Sequence, residues 1–330
     1  MTNIRIRTYQ PADAASLTDA LVALINAADA VDRVGFATTA RRLKALLHRP
    51  GRDPARDLFL AVHRTLREAD GQLVGYVRVD PRLGDHEDVI RCEGAVLPAY
   101  RRRGIGTLLL RHAYQRAGEL RARDPRGNRP AHFEIHARQG MAGLDELCES
   151  FRMRPVRYFF WMVHPDLSRL EEPRLPAGLR LVDGTTFHDL AARTAAFNEA
   201  FAQHWGFVPI RLEDTEYKAR QPTYQPENSL IALDEAGEVA GFCTADTTVD
   251  RVQSLGGDIG VVSTLGVRPA YRHRGLGRAL LLSGMHRIRA AGLPRAALGV
   301  DGDNVTGAKR LYESVGFCES NRSIVYRRDT

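Results

Sequence analysis

The stretch that decides the fold is Val261-Val262-Ser263-Thr264-Leu265-Gly266-Val267-Arg268-Pro269-Ala270-Tyr271-Arg272-His273-Arg274-Gly275-Leu276-Gly277-Arg278-Ala279-Leu280-Leu281-Leu282. It opens as an apolar run rich in β-branched residues, the mark of a buried strand. Pro269 breaks the run, and a basic loop carrying Gly275 and Gly277 follows. Leu276, Leu280, Gly284 and Ile288 then fall four apart, the period of a helix with one packed face. Strand, glycine loop and helix together make a socket for a phosphorylated ligand. Glycine lets backbone N–H groups come close, and the helix aims its positive end at the same point. Arg272, Arg274 and Arg278 add charge-assisted donors. The loop lacks the Gly-Lys-Ser/Thr ending of a P-loop, and Leu280 stands where a dinucleotide fingerprint has its third glycine.

The stretch occurs twice. Val96 to Leu110 matches Val267 to Leu281 at ten of fifteen positions, 171 residues earlier. A repeat with so long a period implies duplicated domains and not a solenoid. The chain has 330 residues, enough for two domains that each bury a core. A hydrophobic share of 44% and a charged share of 26% are those of a soluble globular protein. No run approaches the roughly 18 apolar residues of a membrane span. The start, MTNIRIRTYQPAD, has no apolar signal region, so a cytoplasmic protein is expected. Cys92, Cys148, Cys243 and Cys318 are too scattered for a metal or disulfide framework and read as free thiols. The net charge of +7 comes from arginines spread over both halves, without basic runs interleaved with aromatics. That pattern argues against a nucleic-acid face and fits a polyanionic cofactor.

Around the two loops the pattern repeats. Ile4 to Arg7 alternates as a strand, and Ala12 to Ala30 and Thr39 to His48 read as helices. Leu58 to Val62 and Leu73 to Val79 are strands, and Val89 to Val96 feeds the first glycine loop and a helix from Gly104. His132 to His136 is a strand, Leu144 to Phe151 a helix and Tyr158 to Val163 a closing strand. The proline-bearing stretch from Pro165 to Pro176 reads as the linker. The order then restarts at Leu179 to Val182, with a helix over Phe187 to Trp205, a polar segment over Arg211 to Gln225 and a hairpin around Glu235-Ala236-Gly237. The second loop follows, then a strand over Arg295 to Val300, a helix over Val305 to Ser314 and a closing strand over Ser323 to Tyr326.

The motif Arg272-His273-Arg274-Gly275-Leu276-Gly277, after a strand ending Leu265-Gly266-Val267, resembles the acetyl-CoA pyrophosphate loop of the GNAT N-acetyltransferases. Asn304 to Phe317, with Tyr312-Glu313-Ser314-Val315-Gly316-Phe317 at its end, resembles the second diagnostic stretch of that family. Two such domains in one chain resemble the mycothiol-synthase group. The resemblance implies an α+β fold of two tandem GNAT domains, each a mixed, mostly antiparallel sheet flanked by helices. It places an N-terminal domain at 1–168 and a C-terminal domain at 177–330. It implies acetyl-CoA as co-substrate, a small amine as acceptor, no metal, and a monomer or homodimer. The cofactor residues it points to are Leu265, Gly266, Val267, Arg272, His273, Arg274, Gly275, Leu276, Gly277, Arg278, Asn304 and Ala308. A second possible CoA site comprises Gly94, Ala95, Val96, Arg101, Arg102, Arg103, Gly104, Ile105, Gly106 and Thr107.

The chemistry expected is direct acetyl transfer from sulfur to nitrogen. A developing oxyanion needs a fixed donor, for which the family's counterpart is the Leu265 N–H. A leaving thiolate needs a proton, which the Tyr312 hydroxyl supplies. The bare sequence allows Asn304 as a helix cap. A base for the amine is not evident, because the strand segment Val261 to Thr264 holds no carboxylate. Asp258 is the first candidate, with Asp246, Glu199, His204 and a water relay through Ser263 beside it. Asn198, His204 and Trp205 are expected at the acceptor pocket. In the first half Cys148 stands where Tyr312 stands and Gly140 where Asn304 stands. That half is therefore expected to be non-catalytic, although Glu93 could serve as a base. Alternatives are an acyl-CoA-binding regulatory protein, or an acetyltransferase acting on a protein amine.

Overall fold

The computed structural model describes residues 3–10, 14–32, 37–49, 52–64, 71–83, 87–123, 129–139, 141, 143–303 and 307–329. The chain divides into two compact units, Met1–Arg157 with Ser323–Thr330, and Tyr158–Arg322. In chain order the elements are β1 (Ile4–Thr8), α1 (Ala14–Asp32), α2 (Ala40–Leu47), α3 (Pro54–Asp57), β2 (Leu58–His63), β3 (Gln72–Leu83), β4 (Asp88–Val96), α4 (Ile105–Ala122), β5 (Ala131–Arg138) and α5 (Leu144–Ser150). There follow β6 (Arg154–His164), β7 (Arg180–Asp183), α6 (Leu190–Phe201), α7 (Leu212–Ala219), β8 (Ser229–Leu233) and β9 (Val239–Asp246). The chain ends through α8 (Val249–Ser254), β10 (Ile259–Val267), α9 (Leu276–Ala290), β11 (Arg295–Asp301), α10 (Ala308–Ser314) and β12 (Cys318–Asp329).

The N-terminal unit's sheet runs β1-β2-β3-β4-β5-β12, and the C-terminal unit's runs β7-β8-β9-β10-β11-β6. In each, one pair is parallel, β4 with β5 and β10 with β11, and its other neighbouring strands are antiparallel. Each sheet is thus mixed and mostly antiparallel, as expected. The closing strands are exchanged, which was not expected. Phe159–His164 of β6 pairs with β11, and Ser323–Asp329 of β12 pairs with β5. The boundary between the units therefore falls at Arg157 and not between 168 and 177. The expected linker belongs to the C-terminal unit, because Leu167 is fully buried and donates its N–H to Pro294 O at 2.8 Å.

The helix α9 packs as its four-residue spacing predicts, and α4 packs in the same way. Ile105, Leu109, Ala113 and Ala117 of α4 are buried in the N-terminal core with Phe133 and Ile90. Leu276, Leu280 and Ile288 of α9 are buried in the C-terminal core with Met162 and Phe317. Burial of each such leucine or isoleucine contributes about 1.5–3 kcal/mol. At Gly241 a side chain would stand 2.9 Å from Gly266 O and 3.0 Å from Leu280 Cδ1, so glycine lets α9 lie close on β9. Among the described residues no helix is long and apolar enough to cross a membrane. Two short helices, α7 and α8, lie in segments whose sequence shows no strong apolar period.

Candidate active site

Both glycine loops share one geometry. Gly275, the N-cap of α9, has φ +86°, and Gly104, the N-cap of α4, has φ +78°. A side chain is strained at either, which accounts for glycine in both places. His273 and Arg102 also lie in the left-handed region, at φ 60° and 61°. Left-handed residues just before a helix turn successive N–H groups toward one concave point, the shape that receives an anion. The first helical bond runs from Ala279 N–H to Gly275 O, so the first-turn N–H groups of α9 remain for a ligand.

The motif arginines do different work from that expected. Arg272 Nε donates to Val267 O at 3.1 Å, and Nη1 and Nη2 donate to Gln203 Oε1 and Ala200 O at 3.2 and 3.0 Å. Arg101 repeats this, with Nε on Val96 O at 3.1 Å and both Nη atoms on the Asp32 carboxylate at 2.7 and 2.8 Å. Both guanidiniums staple their loop to the C-terminal end of the helix that follows the unit's first strand, α6 or α1. Arg278 Nη2 donates to Glu171 at 2.7 Å. Arg274 is exposed and has no hydrogen bond or ion pair among the described residues. Arg103 lies over the Tyr100 ring at 5.3 Å, and Arg102 faces Glu146 at 3.5 Å. Gly266, Leu276 and Ile105 are buried, while Gly277, Ala308, Gly106 and Thr107 are half-buried around the two loops.

The staples give one prediction. Arg101→Ala leaves the largely buried Asp32 carboxylate unpaired and lowers the N-terminal unit's stability by about 3–5 kcal/mol. Arg272→Ala removes bonds to neutral acceptors and costs only about 1–3 kcal/mol. Denaturant unfolding of the two variants checks the order, and equal losses would contradict it.

The two units differ at the strand leading into the loop. In the N-terminal unit β4 pairs with β3 in unbroken register from Asp88 to Val96. In the C-terminal unit the register of β10 on β9 shifts between Val262 and Thr264, making Ser263 a bulge. Parallel pairing of β10 with β11 stops at Val261, whereas β4 stays paired with β5 as far as Cys92, the counterpart of Ser263. The C-terminal strands therefore diverge two residues sooner. Leu265 and Gly266 lie along that open edge, as do Gly94 and Ala95 along the shorter one.

Tyr312 is buried in α10 within the C-terminal core, its ring 6.2 Å from Phe317. Burial, with a smaller contribution from Cys243, pushes its hydroxyl up to about 12. At its counterpart Cys148 burial likewise pushes the thiol up to about 12. The other expected groups divide. Asp258 forms an ion pair with Arg295 at 3.1 Å, at the far end of β10. Seven residues of extended chain, roughly 23 Å, separate it from Leu265. Asp246 accepts from the Thr248 N–H and hydroxyl at 3.1 and 2.7 Å, and Glu199 accepts from Arg268 Nε at 2.6 Å. Asn198 makes a reciprocal pair with the Ile210 backbone at 3.0 and 2.9 Å, and so fixes the loop after α6. Asn26 does the same with Thr38 in the N-terminal unit, a repeat that sequence reasoning missed.

His204 stacks edge-on with Phe201 at 4.5 Å, beside a group of Phe197, Phe207 and Phe242. Burial lowers its pKa from 6.5, and Asp301 opposes this weakly. Trp205 lies 6.4 Å from Phe159. Asn304 and Gly140 lie outside the described residues, and the cap of α10 is Gly307.

Such a pair of loops, on two sheets of one order, defines a duplicated fold with an anion-receiving loop in each half. Residues 195–317 match the Acetyltransferase (GNAT) family, and residues 56–137 match the Acetyltransferase (GNAT) domain. A mycothiol acetyltransferase of Nocardia farcinica is 31% identical over 99% of this chain and 98% of its own. A GCN5-related N-acetyltransferase of Sphaerobacter thermophilus is similar in structure, with TM-score 0.73 and 25% identity over 99% of this chain and 96% of that one. A tandem GNAT protein from the clavulanic acid biosynthesis pathway shares the fold at TM-score 0.69 and 19% identity, over 99% and 98% of the two chains. The chain belongs to the GNAT acetyltransferase family, as a tandem-domain member of the mycothiol-synthase kind. It is an acyltransferase.

Proposed function

We propose that the C-terminal unit transfers the acetyl group of acetyl-CoA directly to the primary amine of a small molecule. The observation that carries this reading is the bulged, early-diverging strand β10 with Tyr312 beside it, set against the unbroken β4 with Cys148. The CoA phosphates rest on the N–H groups of Gly275 to Arg278, with Arg274, which has no partner among the described residues, supplying a cation. The thioester lies along the open edge of β10, where the Leu265 N–H stabilises the oxyanion. The amine nitrogen attacks the carbonyl carbon, the C–S bond breaks, and Tyr312 gives its proton to the leaving sulfur. His204 takes the proton from the amine. It replaces Asp258 in this role, since its neutral imidazole faces the aromatic group beside the end of β11. The N-terminal unit keeps a phosphate loop, binds CoA and does not catalyse. The relative's name favours an acceptor of the mycothiol type, a small amine and not a protein.

A pH profile tests the base. Because burial holds His204 below 6.5, its imidazole is neutral at and above neutral pH and protonates only as the medium becomes acid. The rate is therefore flat near pH 7 and falls below pH 6.5. His204→Gln removes that acid limb and lowers the plateau roughly 10²-fold. An unchanged profile in the variant rules the histidine out.

A further inference from the structure

Among the described residues, the N-terminal unit holds a cluster of arginines that outnumber the acids around them. Along β3, Val77 and Val79 face the core under α4, so Arg78, Asp80 and Arg82 share the opposite face. Across the ladder Arg91 is in register with Asp80, and Glu93 with Arg78. Arg52, from the loop after α2, reaches the same face: Nη1 donates to Pro81 O at 3.2 Å and Nη2 pairs with Asp80. The side chains of Arg52 and Arg78 are each only 10% exposed.

Among the described residues, the acids nearby are already engaged. Asp80 serves Arg52 and, at 3.7 Å, Arg78. Glu93 accepts from Arg78 at 2.8 Å. Glu134 lies 3.5 Å from Arg91, but it holds two bonds from Arg327, at 2.6 and 2.9 Å, and a contact with His136 at 3.1 Å. Arg82 has no hydrogen bond or ion pair among the described residues. Burial, and then the like charge of Arg91, hold it down at about 10. Arg52 Nε, Arg78 Nη1 and Arg91 Nε are buried without a hydrogen-bond partner, and so is Asp80 Oδ1 on the acid between them. A buried N–H donor without an acceptor costs about 1–3 kcal/mol, and local rules are broken where function requires it.

The cluster is separate from the glycine loop. Arg91 precedes Val96 by five residues of strand, roughly 17 Å, and faces away from α4, whose N-terminus carries the loop. We propose that Arg52, Arg82 and Arg91 form an oxyanion site, which takes a small molecule by a phosphate or carboxylate group. Guanidinium forks match the geometry of either group and grip it through paired N–H bonds.

The test uses the full chain at constant ionic strength with saturating CoA, so that the glycine loops are covered. Inorganic phosphate and malonate are titrated by calorimetry against wild type, Arg82→Met and Arg91→Gln. At least one anion binds wild type, and both variants weaken it about tenfold or more. The tighter anion tells a phosphorylated ligand from a carboxylated one. A second readout separates binding from structure. In anion-poor buffer Arg82→Met raises the Tm, because it removes an uncompensated charge, whereas loss of a structural arginine would lower it. Wild type binding neither anion, variants binding as wild type does, or a lowered Tm in Arg82→Met would overturn the proposal.

Discussion

Tyr312→Phe leaves the C-terminal unit folded and lowers turnover about 10²-fold or more. The ring packs with Phe317 and the core of α9 and β11, contacts that phenylalanine keeps. The hydroxyl has no hydrogen bond among the described residues, so its removal strands no partner. Only the proton for the leaving sulfur is lost. Burial holds the phenol up at about 12, so it remains protonated, and a donor, through neutral and mildly alkaline pH. The rate should therefore show no alkaline fall from this group in that range. Thiol release from acetyl-CoA, measured beside thermal unfolding, checks both the loss of rate and the intact fold. A wild-type rate in the variant rules Tyr312 out as the acid.

Truncation after Arg322 unfolds the N-terminal unit. Ser323–Asp329 closes that unit's sheet against β5. Its loss removes buried Ile324, Val325 and Tyr326, about 1.5–3 kcal/mol each. It also removes Arg327 from the fully buried Glu134, a break that costs about 3–5 kcal/mol. Burial raises the Glu134 pKa, but the bonds from His136 and Arg327 outweigh it and keep the carboxyl below its usual range. A carboxylate held low is stabilising above its unfolded pKa, so this contribution is present at neutral pH and disappears in acid. The sum is of the order of a whole domain's 5–15 kcal/mol. Limited proteolysis of the truncated chain should cut within residues 14–123, and resistance equal to that of the full chain would contradict the prediction.

Much of this was legible because it is local. The glycine loops announce themselves through Gly104 and Gly275, whose left-handed backbone needs that residue. The stripes Ile105-Leu109-Ala113 and Leu276-Leu280 follow from helical period alone. The exchange of β6 and β12 was not legible, since strand pairing is non-local and either apolar run could close either sheet. Nor was the bulge at Ser263, which depends on register with β9 and not on any residue in Val261–Thr264. The motif arginines misled because sequence gives charge without direction: Arg272 and Arg101 turn back onto Val267 and Val96. Asp258 misled because nearness in sequence along an extended strand is distance in space. The arginine cluster around Asp80 was hidden among arginines spread through the whole chain.

The central claim is that the C-terminal unit alone performs acetyl transfer. Its most direct test is the KM for acetyl-CoA in thiol release to a small amine, measured for Arg274→Ala and for its counterpart Arg103→Ala. Arg274→Ala should raise KM about tenfold or more, the loss of one charge-assisted phosphate contact, while Arg103→Ala keeps the wild-type value. A raised KM in Arg103→Ala beside an unchanged one in Arg274→Ala would place the chemistry in the other unit.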